Sequence, residues 1–162
     1  MKTKLRVVNK SLNLQHTCAA CIAVMLCYAA LIKLTNYQTS REQMLNQVFP
    51  EAIALHLTWL VPVTELVIAV ALVIKSTMLK ALYAALVLMV SFTIYISITM
   101  TGIFGRIPCS CGGILKQMSY TTHLLFNLCF IILTIIGIKT DQRWINHKWL
   151  NFKKKGEQPK IG

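Results

Sequence analysis

Four apolar stretches, each long enough to cross a lipid bilayer, constrain this chain more than any other feature. They run from about Thr17 to Leu34, Ala52 to Ile74, Leu79 to Met100 and Tyr120 to Ile138. At about 1.5 Å of rise per residue, about 18 to 23 residues span roughly 30 Å of hydrocarbon. A backbone in hydrocarbon must satisfy its own hydrogen bonds, so each stretch is expected to be a helix. The expected fold is therefore all-α: an integral membrane four-helix bundle in a single domain over 17–138, with basic tails at 1–16 and 139–162. Composition agrees, since 56% of residues are hydrophobic, only 14% are charged and the mean hydropathy is +0.59. A soluble domain of this size needs more charge to cover its surface. Pro62 falls inside the second run, where a kink is expected and neighbouring helices can satisfy the freed carbonyl. The first run follows Lys2, Lys4, Arg6 and Lys10, as in a signal peptide. Its apolar core is long for a signal and no small-residue cleavage site follows, so a retained helix is expected.

The net charge of +12 does not point to nucleic acid, because the charges sit in tails and loops between apolar runs. Thirteen Lys and Arg residues lie in the two tails and the second-to-third connection. The other side has Arg41, Arg106 and Lys116, with Lys33 at a helix end. This bias places both termini in the cytoplasm and the protein in the cell's inner (cytoplasmic) membrane, with the lipid bilayer as its first partner. The connection after the third run then faces the periplasm or cell exterior. Between the first two runs, Ser40-Arg41-Glu42-Gln43 has capping-box spacing ahead of Met44, Leu45 and Val48, which predicts a short surface helix starting at Ser40. An ordinary loop with one helical turn is the alternative. The lysine-rich tail from Lys153 on suits anionic lipid headgroups.

The outward connection reads Gly105-Arg106-Ile107-Pro108-Cys109-Ser110-Cys111-Gly112-Gly113. Cysteines separated by one residue can close a small, strained disulfide, and strain makes such a bond ready to accept electrons or exchange with another thiol. Gly112 and Gly113 permit the tight backbone that this requires. Two other readings stay open: a soft-metal site for Cu(I), and a structural staple or a pair of unpaired thiols. The other cysteines (Cys18, Cys21, Cys27, Cys129) lie in apolar runs and are expected to pack as small hydrophobes. Cys18-Ala-Ala-Cys21 has thioredoxin-type spacing but no strand before it, and it lies at the cytoplasmic entrance of a helix.

Polar residues inside the runs give a second signal. Glu65 is an ionisable group in the second helix, a placement that calls for a partner or a task. Ser91, Tyr95 and Thr99 recur at helical spacing in the third. His123 and Asn127 do so in the fourth, with Thr134 beyond, and Cys21 and Tyr28 share a face of the first. At about 1.5 Å per residue, Tyr28, Glu65, Tyr95 and Asn127 fall roughly 9–12 Å below the outer ends, with His123 above Asn127. A polar layer beneath the cysteine loop is expected, with Glu65 and His123 functional. Helix-to-helix hydrogen bonding is an equal alternative for Tyr95 and Asn127.

Tyr28, Lys33-Leu34, Val61-Pro62, Glu65-Leu66, Pro108-Cys109-Ser110-Cys111-Gly112-Gly113, His123-Leu124 and Phe126-Asn127, in that order, resemble the methylamine-utilisation MauE family within the DoxX-like membrane proteins. The resemblance covers roughly Thr17 to Ile138. It implies a redox-associated four-helix membrane bundle that supports maturation of methylamine dehydrogenase beside a thioredoxin-like exported partner. The expected function is thiol–disulfide exchange, with Cys109 and Cys111 cycling and His123 or Glu65 handling protons. A quinone held near Tyr28, Tyr95 and Asn127 could take the electrons. A non-catalytic assembly factor with a structural cysteine pair, or a Cu(I)-handling protein, is the alternative.

Overall fold

The computed structural model describes residues 2–46, 50–101 and 120–140, and within them the chain is helical. Five helices follow one another: α1 (Lys2–Thr35), α2 (Tyr37–Leu45), α3 (Glu51–Val73), α4 (Met78–Met100) and α5 (Tyr120–Lys139). The cysteine loop and the tail beyond residue 140 lie outside the described residues.

α1 is longer than the apolar run predicts, because its helix continues back through the basic segment to Lys2. No glycine or proline precedes Pro50, and Lys, Arg and Leu are good helix formers, so nothing local stops it. The part apolar enough to cross a membrane is Asn13–Thr35. α3, α4 and Thr121–Lys139 of α5 complete four such spans. Their outward faces are apolar: Val24, Val73, Val87 and Leu125 are 62–77% exposed, a pattern suited to lipid and not to water. This is a multi-pass membrane protein.

Asn36 breaks the path between α1 and α2, with φ −105° and ψ 49° and its amide bonded back to Ile32 O at 3.0 Å. The expected capping box does not form. α2 starts at Tyr37, one turn earlier than predicted, and Ser40 lies inside it with its N–H bonded to Asn36 O at 2.9 Å. The Ser40 hydroxyl is buried and meets no partner. α3 runs unbroken through Pro62, which is buried. The turn into α4 is short, and Thr77 Oγ1 donates to Ala71 O at 2.8 Å to tie it back.

The spans form an up-and-down ring in which α1 packs on α3, α3 on α4, α4 on α5 and α5 on α1. Paired residues give the register. Against α3, Lys33 at the end of α1 meets Glu65 and Tyr37 at the start of α2 meets Trp59, so the numbers run in opposite senses. The same antiparallel order joins α4 and α5 through Thr93 with Asn127 and Met89 with Thr134. α2, the last turn of α4 and the first turn of α5 therefore lie at the same end of the bundle. Toward the other end the packing is close: a Cβ on Gly137 of α5 would sit 3.3 Å from Cys18 Cβ and 3.5 Å from Leu82. Ile22, Leu82, Ala85 and Met89 fill the core.

Cys18 is buried against that glycine, as expected for a small packing residue. Cys21 and Cys129 instead lie exposed on the outer face, where a thiol is apolar enough to face lipid. Cys27 is half-buried.

Candidate functional site

Glu65 lies in the middle of α3, one turn past Pro62, and is 2% exposed. Its position on the inward face follows from the spacing of Ala54, Thr58, Pro62, Glu65, Ile68 and Leu72, all buried at helical intervals. Lys33, in the last turn of α1, donates from Nζ to Glu65 Oε1 and forms an ion pair with it. The side chains are 11% and 3% exposed, so the pair is withdrawn from both water and lipid. In a low-dielectric interior their attraction is strong, and removing either partner would leave a bare charge.

α4 adds Phe92, whose ring centroid lies 5.6 Å from Lys33 Nζ, a cation–π contact. α5 adds His123 from its first turn. His123 is half-buried and its Nδ1 is enclosed without a hydrogen-bond partner, and one turn along α5 Asn127 reaches Thr93, the neighbour of Phe92. Oε2 of Glu65 is likewise buried and unpartnered. Each membrane helix thus contributes one residue toward the end of the bundle where α4 ends and α5 begins.

Asn127 and Thr134 continue the inward face of α5 that starts at His123. Asn127 Nδ2 donates to Thr93 Oγ1 at 3.4 Å, and Thr93 Oγ1 in turn donates to Met89 O at 2.8 Å. Thr134 Oγ1 donates to Phe130 O at 2.7 Å and lies 3.9 Å from Met89 Sδ. These contacts join α4 to α5 as interhelical hydrogen bonds do in membranes.

Of the residues singled out from sequence, the structure brings Glu65 and His123 to one place through Lys33 and seats Asn127 on the inward side of α5. Tyr95 is half-buried on α4. Tyr28 is 43% exposed on the outer face of α1 and does not join the cluster. The three-residue face proposed for α4 divides: Ser91 is exposed and bonded to Val87 O, while Thr99 is buried and bonded to Ile96 O. Cys109 and Cys111 lie outside the described residues. Lys33 is what the sequence reading missed. The signal was present, because a lysine in the last turn of one span and a glutamate in the next are opposite charges in adjacent helices.

The family model described as methylamine utilisation protein MauE matches residues 11–140. The chain belongs to the MauE family. That places it among proteins of methylamine utilisation, and the match encloses all four spans of the MauE chain together with the loop carrying Cys109 and Cys111. No curated protein and no solved structure matches it. Among the described residues of this MauE protein, no three His, Cys, Asp or Glu side chains are grouped to hold a metal ion.

Proposed function

We propose that this MauE protein serves methylamine utilisation as a membrane thiol–disulfide component supporting maturation of an exported protein. Cys109 and Cys111 are the redox pair. Their disulfide exchanges with two thiols of a thioredoxin-like exported partner: one S–S bond opens to two thiols here while one closes there, and two electrons and two protons move with it. The basic bias of tails and loops supports an outward-facing loop in the inner membrane, where disulfides persist.

The observation that carries this reading is the buried Lys33–Glu65 pair, with His123 in the first turn of α5 enclosed without a partner. Apolar side chains of similar size would pack as well as an ion pair, so charged groups placed there by separate helices point to a task. Thiol exchange needs protons delivered and removed, and a carboxylate and an imidazole are groups suited to that work.

Thiol trapping in living cells tests the reading. Cys109 and Cys111 are expected to be found in both dithiol and disulfide forms, and Cys111→Ser to accumulate a mixed disulfide through Cys109. A pair whose redox state never changes and never crosslinks removes the proposal. A Cys111→Ser protein that is merely less abundant would mark the pair as a structural staple.

A further inference from the structure

The Lys33–Glu65–His123 cluster has unmet hydrogen-bonding capacity. Glu65 Oε2 and His123 Nδ1 are buried without partners, and an unpaired polar group in an apolar setting is costly unless something meets it. Lys33 has three N–H donors, of which Glu65 Oε1 takes one. The site therefore offers an ammonium donor, a carboxylate acceptor and an imidazole, with the Phe92 ring beside the ammonium. Neighbouring positions on the same helices, Ile94 and Leu125, expose apolar side chains, so the surroundings are lipid. A matching ligand must dissolve in the bilayer. It must carry an oxygen that accepts from Lys33 in one state and donates to Glu65 in another. A quinone does both, since its carbonyl accepts and the hydroxyl of the quinol donates.

We propose that Lys33, Glu65 and His123, with Phe92 alongside, form the head-group site for a lipid-soluble quinone. The direction of electron flow rests on the thiol–disulfide reading above. Two S–H bonds at Cys109 and Cys111 break and one S–S bond forms, and the two electrons and two protons released convert the quinone to quinol. Lys33 holds the carbonyl oxygen, Glu65 Oε2 accepts the hydrogen bond of the quinol hydroxyl, and His123 Nδ1 exchanges the proton with the loop side. This places the head group by the ion pair, and not by Tyr28, which faces outward.

The test is direct binding of ubiquinone-1 to the full chain in phosphatidylcholine nanodiscs, followed by quenching of tryptophan fluorescence and by calorimetric titration. Saturable binding is expected. The double variant Lys33→Met/Glu65→Leu, shown to be folded by its thermal melt, is expected to bind about tenfold or more weakly, the scale of a lost hydrogen bond to a charged group. His123→Phe, checked in the same way, is expected to weaken binding as well. Partitioning no different from empty nanodiscs, or wild-type affinity in the folded double variant, overturns the proposal, as does a site occupied by water alone, which gives no saturable quinone signal. No thiol turns over in this measurement, so its failure is separate from failure of the cysteine trapping.

Discussion

Lys33 binds one carboxylate oxygen of Glu65 and leaves the other enclosed without a partner. A buried pair of this kind contributes little to stability when intact, yet is costly to halve. Glu65→Leu alone strands the Lys33 ammonium and is expected to lower stability by about 3–5 kcal/mol. Lys33→Met/Glu65→Leu together should restore it to near the parent value. Thermal melts of the detergent-purified single and double variants check the pair, and equal losses in both would remove the account.

Ser40 separates two descriptions of α2. Were it the N-cap, Ser40→Ala would cost about 1 kcal/mol. Because its hydroxyl is buried inside the helix without a partner, the substitution is expected to be neutral or stabilising by up to about 1 kcal/mol. A clear loss of melting temperature would return Ser40 to the cap.

Gly137 is needed where α5 crosses α1 and α4. A side chain there meets Cys18 and Leu82 at once, so Gly137→Leu is expected to cost about 1–3 kcal/mol by overpacking. The companion variant Gly137→Leu/Leu82→Ala should recover part of that loss in the same melt.

The Asn127–Thr93 contact is long and belongs to a membrane interior where the unfolded state also finds partners. A double-mutant cycle of Asn127→Leu and Thr93→Val is expected to give a coupling of about 0.6 kcal/mol. A coupling several times larger would make Asn127 more than a link between helices.

The four spans were legible because segment length alone decides them, and three of the four spanning helices begin and end within a residue or so of the apolar runs. α1 and α2 departed for local reasons. A basic segment without glycine or proline simply continued the helix, and the Ser40-to-Gln43 spacing suggested a start that Asn36 had already supplied one turn earlier. Single-helix spacing placed His123, Asn127 and Thr134 correctly on one face. It could not tell an inward face from an outward one when the residues are thiols or phenols that lipid accepts, hence Cys21, Cys129 and Tyr28. The Lys33–Glu65 contact depends on the register between α1 and α3, which no single segment encodes.

That register has a consequence for how the bundle is made. Lys33, Glu65, Phe92 and His123 meet only if every span has threaded the bilayer in the right direction and to the right depth. A slip of one helical turn moves a side chain by about 5.4 Å, and an inverted span removes it to the opposite leaflet. Either error leaves a naked charge facing hydrocarbon, a state far above the paired one. The same residues that ready the site for chemistry thus make misassembled chains distinguishable from finished ones before any chemistry begins.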